Sequence, residues 1–361
     1  MDMIYNRSVF VNGAYEGVFD WGRLDTKAYW KHTEHYMNFL ADKGGSTPTS
    51  GMPMYTKGDD AGWSVKGTID LTKQDVLRVG SELHHVTLDD WWPAVPGSMM
   101  MGPNTYVNIN GGRRDRVAGY AEWERVWSKE WATLLGARVD VVDMNTGKVQ
   151  DYGCGMMCMG DAMAAAAFNA RNHHKTDVDL DITALARWTP NERTGVEFGY
   201  ARKTRSPNLY ERYAWGTGDM ASQMIGWFGD GNGYIGNLDL KPEVAHTVQT
   251  TVSFKGAAEK SWQVKVTPYV SYVENYIDAD RVGLMSWPGW PTFAKLKFAN
   301  HDALLWGFDA SAEAPLWSNP TWGDFAVRGA LAYTHGENLD TNDGLYRVMP
   351  LNGTIGLEHR L

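Results

Sequence analysis

Apolar and polar side chains alternate with a period of two along most of the chain, the pattern of strands whose two faces meet unlike surroundings. Over residues 177–188, Val178, Leu180, Ile182, Ala184, Ala186 and Trp188 fall on one face, while Asp177, Asp179, Asp181, Thr183 and Arg187 fall on the other. Residues 262–271 repeat the pattern, with Trp262, Val264, Val266 and Val270 set against Gln263, Lys265, Thr267 and Ser271, and so do residues 63–71 and 244–254. About a dozen such segments, each of about ten residues or more, have the length of a tilted strand crossing a bilayer. They predict an all-β fold, an antiparallel sheet with one apolar and one polar face.

The connections bear on whether that sheet is a soluble β-sandwich or a membrane barrel. Short ones, 71–76, 128–131, 189–194 and 256–261, alternate with long ones, 40–60, 93–114, 144–176, 206–242, 282–294 and 336–349. Tight turns on one rim and long loops on the other are the plan of a transmembrane β-barrel. Trp127, Trp131, Trp188, Trp317 and Trp322 lie beside the short turns, where an interfacial aromatic girdle belongs, although any one of them could equally fill a sandwich core. No repeat or linker divides the chain, so residues 1–361 read as one domain.

Composition sharpens this reading. Hydrophobic content is 43%, yet no run approaches the roughly 20 apolar residues of a spanning helix. Seventeen Trp, 17 Tyr and 39 Gly suit strands and loops, and a net charge of -9 with no basic stripe argues against nucleic acid as a partner. Residues 1–10 (MDMIYNRSVF) lack the charged start and apolar core of a signal peptide, which an exported protein carries, so a start upstream of this sequence is expected. The two cysteines, Cys154 and Cys158, lie too close together to form a disulfide framework.

Three segments resemble TonB-dependent outer-membrane receptors: 201–213 (ARKTRSPNLYERY), 236–254 (GNLDLKPEVAHTVQTTVSF) and 299–317 (ANHDALLWGFDASAEAPLW). The resemblance implies a barrel of about 22 strands around an N-terminal plug, in the outer membrane of a Gram-negative bacterium. With fewer strands and no plug domain, residues 1–361 are expected to be an incomplete part of such a barrel. The partners implied are outer-membrane lipid, the TonB complex through an N-terminal segment outside this sequence, and copper or a metal chelate.

Within that family the chain is most like the copper receptors, on residues 31–40 (KHTEHYMNFL), which resemble their His-x-Met strand. Counting by twos puts Asp25, Lys27, Lys31, Thr33, His35 and Met37 on one face, opposite Leu24, Ala28, Trp30 and Tyr36, so His35 and Met37 are expected to point into the lumen together. Imidazole with thioether suits copper, Cu(I) especially. The resemblance implies that the remaining ligands, a Cys and a Met, belong to the plug; the alternative is a His and a Met facing the lumen with no metal.

Methionine adds a second line. Met52, Met54, Met99 to Met101, Met156, Met157, Met159, Met163, Met220 and Met224 fall in the expected loops, where they would collect soft metal or pack loops together as apolar filler. The densest segment, 152–163 (YGCGMMCMGDAM), offers Cys154, Met157, Cys158 and Met159 as ligands, with His173 and His174 further along; a loop disulfide is the other reading of the cysteines. No zinc-type spacing is present. An enzyme is disfavoured because no Gly-x-Ser-x-Gly elbow occurs, and no catalytic cofactor is implied. A passive porin and an iron-siderophore receptor are the remaining alternatives, and Trp215, Trp227, Trp287 and Trp290 in loops fit either kind of cargo.

Overall fold

The computed structural model describes residues 1–257, 261–286, 289 and 291–361. Trp287, Trp290 and the middle of the 256–261 turn lie outside these residues. The strands are β1 (Asp2–Phe19), β2 (Gly22–Asn38), β3 (Met54–Asp70), β4 (Asp75–Trp92), β5 (Tyr106–Val126), β6 (Trp131–Asn145), β7 (Lys175–Asn191) and β8 (Thr194–Arg205). They continue as β9 (Gly233–Ile235), β10 (Glu243–Lys255), β11 (Gln263–Met285), β12 (Phe293–Asn319), β13 (Gly323–Asn338), β14 (Asp343–Gly344) and β15 (Asn352–Arg360). Three short helices lie in the loops: α1 (Met159–Asn169), α2 (Leu209–Tyr213) and α3 (Asp219–Met224).

The long strands pair antiparallel in chain order, β1 to β8 and then β10 to β13, with β15 against β13. Among the described residues only β9 runs parallel to its neighbour, lying against residues 295–297 of β12. The path does not return to β1, so the sheet stays open. This is the all-β, up-and-down barrel wall the alternation predicts.

Register explains why the two faces differ so sharply. Directly opposed residues share a face, and the pairing lines up Val117, Val141 and Val178 across β5, β6 and β7, with Gly119, Val139 and Leu180 on the next outward row. The first three are 50%, 43% and 70% exposed. An apolar row of that kind is a liability in water and the required surface in lipid. Inside hydrocarbon an unpaired backbone group costs several kcal/mol, and the continuous ladders meet that demand. Among the described residues no helix is long and apolar enough to cross a membrane, a statement that does not bear on strands.

The rims also follow the expected plan. Trp127, Trp131, Trp317 and Trp322 are exposed beside the short turns, and Trp131 stacks on its cross-strand partner Trp188 at 5.9 Å. At the other rim the strands reach further than the sequence suggests. β3 starts at Met54 and β5 at Tyr106, both within expected loops, while β11 and β12 leave only residues 286–292 where a longer loop is expected. These extensions rise beyond the apolar band, where polar residues on both faces hide the alternation.

Candidate functional site

The long loops fold inward over the end of the sheet. His35 and Met37 stand near the loop end of β2, and their direct partners on β3 are Thr56 and Met54. Met54 is buried among Trp92, Tyr106, Val142, Met144 and Tyr213, and Met37 packs on that cluster from its edge. The pair therefore faces inward, as the alternation predicts. The Nε2 atom of His35 is buried without a hydrogen-bond partner. An imidazole nitrogen shielded from water and, on the same face, a directly opposed pair of thioethers are donors of the kind soft metals take: His35, Met37 and Met54. Met54 is visible in the sequence only as a loop methionine, because its place opposite Met37 depends on the β2–β3 register.

The remaining methionines divide into two groups. Met224 is buried in the same cluster, and Met52, Met101 and Met220 pack against it, so these four are apolar filler between loops and wall. The sulfur of Met144 accepts from Arg212 Nη1 at 3.4 Å, and that neighbouring cation disfavours a metal ion there. Met99, Met100, Met156, Met157, Met159 and Met163 are exposed, Met156 by 86%. The expectation that all these methionines lie in loops rather than strands needs correction at Met54, which opens β3; Met159 and Met163 on α1 and Met220 and Met224 on α3 lie in the loops as expected.

Cys154 and Cys158 form a disulfide with their Cα atoms 5.2 Å apart. In this form neither offers a thiolate, so of the candidate ligands in the segment only the thioethers of Met157 and Met159 are available. His173 is buried, with Nδ1 3.1 Å from the Thr146 carbonyl and Nε2 2.8 Å from that of Phe168, and so turns no free nitrogen to a ligand. His174 is exposed and pairs with Asp143 at 2.5 Å. Among the described residues no group of three or more His, Cys, Asp or Glu side chains is arranged to hold a metal. The structure does not gather His35, Met37 and the cysteine loop into one ligand shell.

A strap formed by residues 206–242 crosses the mouth. Its first turn, α2, begins with a capping box in which Asn208 accepts from the Glu211 backbone and Glu211 accepts from that of Asn208. Arg212 is almost wholly buried, pairs with Asp177 on β7 at 3.0 Å and donates to the Leu240 carbonyl at 2.9 Å. Trp215 extends a stack of rings, Trp92 on Tyr106 at 4.3 Å and Tyr106 on Trp215 at 4.7 Å. Asp161 on α1 accepts the backbone N–H groups of Thr217 and Gly218 at 2.9 and 2.7 Å; burial pushes its carboxyl above the ordinary 3.8, and the two N–H groups oppose that rise. At its far end the strap lies on β12 through β9, with Asn237 Nδ2 donating to the Phe298 carbonyl at 3.0 Å. The Asn-x-x-Glu spacing of the capping box is legible in sequence; the stack and the Arg212 anchor come from distant segments and leave no local signal.

Comparison with known proteins agrees with this architecture. A family model described as TonB dependent receptor-like, beta-barrel matches residues 3–360. Among solved structures, the copper transporter OprC is similar with a TM-score of 0.70 at 14% identity, over 99% of this chain and 50% of its own. The FrpB iron transporter from Neisseria meningitidis is similar at 0.63 and 13% identity, over 98% of this chain and 48% of its own. The siderophore receptor PirA from Pseudomonas aeruginosa gives 0.57 and 18%, over 92% and 51%. The chain thus spans about half the length of these structures, and at such identities the likeness is one of fold. No curated protein sequence matches it.

Proposed function

The chain belongs to the TonB-dependent receptor-like β-barrel family, and from that membership we propose that it forms lipid-embedded wall of an outer-membrane receptor that takes up copper, with energy supplied through TonB. The observation that carries the choice of cargo is the inward-facing set of His35, with its buried unpartnered nitrogen, and Met37 and Met54 directly opposed across β2 and β3. Borderline nitrogen with two soft sulfurs favours Cu(I) over hard cations, which prefer oxygen. The exposed methionines on and around α1 would hold metal weakly outside the strap, and His35 would take it within. Copper is the cargo of this set and leaves it again.

A metal chelate, such as an iron siderophore, is the second reading. It draws on the fold's likeness to the FrpB and PirA structures, which is comparable to its likeness to OprC. The deciding experiment is Cu(I) titration of the detergent-solubilised protein expressed from its own gene, beside a His35→Ala/Met37→Ala variant and a Met54→Leu variant. The double substitution is expected to weaken binding by about a hundredfold, about 2.7 kcal/mol, and Met54→Leu by about tenfold. Equal affinity in all three, or no binding to the wild type, would move the assignment to a chelate.

A further inference from the structure

The inward face of the sheet divides into two stretches of different chemistry. From β2 to β7 it carries long charged side chains that occupy one another. Arg138 holds Glu82 at 2.8 Å and Asp140 at 2.7 Å, Arg78 holds Glu124 at 2.6 Å, and Asp60 accepts from Tyr29 at 2.9 Å and lies 2.8 Å from His84.

From β8 to β15 the middle rows of inward positions are mostly short and uncharged. Gly199, Gln249, Tyr269, Gly307 and Thr334 make one row, and Ser253, Lys265, Ser311, Ala330 and Thr354 another nearer the short turns. Hydroxyl groups link across the strands, Thr247 to Ser271 at 2.8 Å, Thr251 to Thr267 at 2.9 Å and Tyr269 to Thr334 at 2.7 Å. A Cβ atom at Gly307 would run into the Tyr333 carbonyl oxygen, so the backbone itself enforces a small residue there. At the short-turn end of this wall lies a cavity of about 1000 Å³, bordered by Ser253, Ser311, Ala330 and Thr354 together with the charged Lys265, Glu313 and Arg328. Fixed charge on this wall gathers toward its two ends, in Arg205–Glu243 at 2.6 Å near the loops and in Arg328 with Glu313 at 3.2 Å and Glu358 at 2.7 Å near the short turns, while the middle rows hold Lys265, Asp309 and Glu197, which pairs with Arg187 at 3.2 Å.

A passage must bind its cargo well enough to admit it and weakly enough to release it. On the charged wall, a cation or chelate would have to displace ion pairs already made, and the long side chains fill the space. Over its middle rows the hydroxyl wall offers spare oxygen lone pairs and shorter side chains, with fewer fixed charges to trap what passes than the charged wall. We propose that the β8–β15 wall is the translocation path and that the β2–β7 wall is the static side of the lumen. This rests on the uptake reading but not on copper being the cargo.

Both cysteines of the sequence are in the disulfide and none is free, so introduced thiols report without interference. Gln249→Cys and Ala330→Cys on one wall are compared with Lys27→Cys and Glu122→Cys on the other, in cells expressing the protein from its own gene. The probe is a small hydrophilic methanethiosulfonate, read by mass, with folding checked by heat-modifiable migration. Labelling on the β8–β15 wall is expected to be about tenfold faster, and faster still in energised cells. Equal rates, or faster labelling at Lys27→Cys and Glu122→Cys, would overturn the assignment. If the wild type binds no copper, the cargo assignment fails alone and the labelling ratio still judges the path.

Discussion

The two walls of the lumen have the same pleat and pairing, yet different interactions hold their side chains. On the β2–β7 wall, groups such as Arg138, Glu82 and Asp140 are partly removed from water and depend on one another. Through its middle rows the β8–β15 wall uses hydroxyl rungs and backbone pairing, and its ion pairs, such as Arg328 with Glu313 and Glu358, stand toward the ends of the strands. The strap over the mouth repeats the contrast, pinned on one side by the buried Arg212–Asp177 pair and laid on the other along β12 by a short parallel ladder. Ion pairs stand where an element is held in one position; short neutral groups stand where space is kept open.

The strongest way to break that contrast is at the charged anchor. Arg212→Met leaves Asp177 without its cation in a buried setting, where removing one partner of such a pair costs about 3–5 kcal/mol. The expected result is a strap that opens, read as rapid proteolysis within 206–242 while the strands stay protected. A strap as resistant as the wild type would show that the rings around Trp215 hold it without the ion pair. A smaller difference is expected between the walls themselves. Arg138→Met should lower stability by about 2–3 kcal/mol, because Glu82 and Asp140 lose a charged donor, against about 1 kcal/mol for Thr251→Val, which breaks a single neutral rung. Denaturant midpoints in detergent measure both, and equal losses would dissolve the distinction between the walls.

Much of this was legible in the alternation. A pleat assigns faces without regard to tertiary contacts, so the outward row through Val178, Leu180 and Ile182 and the inward Asp177, Asp179 and Asp181 follow from sequence. The same counting turned His35 and Met37 inward. It failed where segments leave the lipid band: β3 begins at Met54 within an expected loop, because no apolar contrast marks a strand that has loops on both sides. Loop placement alone left the methionines open between metal capture and packing, and register and burial were needed to put Met52, Met101, Met220 and Met224 in a core between loops and wall. Spacing left Cys154 and Cys158 open between metal and disulfide, and three-dimensional geometry was needed to join them. The charge difference between the walls was present in the polar residues but becomes a pattern only when register sets them side by side.

The smallest effect expected lies at the mouth, at Asp161. Its carboxyl is raised above the ordinary 3.8 by burial, against the pull of the Thr217 and Gly218 N–H groups. A carboxyl raised on folding binds its proton more readily in the folded protein, so this group's contribution to stability grows as pH falls through the raised value and levels off below the unfolded value. Docking of the strap on α1 should therefore hold, or tighten slightly relative to a neutral reference, between pH 7 and about 4. Asp161→Asn keeps the side-chain oxygen that accepts both N–H groups but cannot titrate, and supplies that reference. The ratio of proteolysis rates within 206–242, wild type over variant, is expected to fall as the solution is acidified. A rising ratio would mean that the carboxylate charge at Asp161 strengthens those two hydrogen bonds by more than its burial costs, and the strap would then be a structure that loosens in acid.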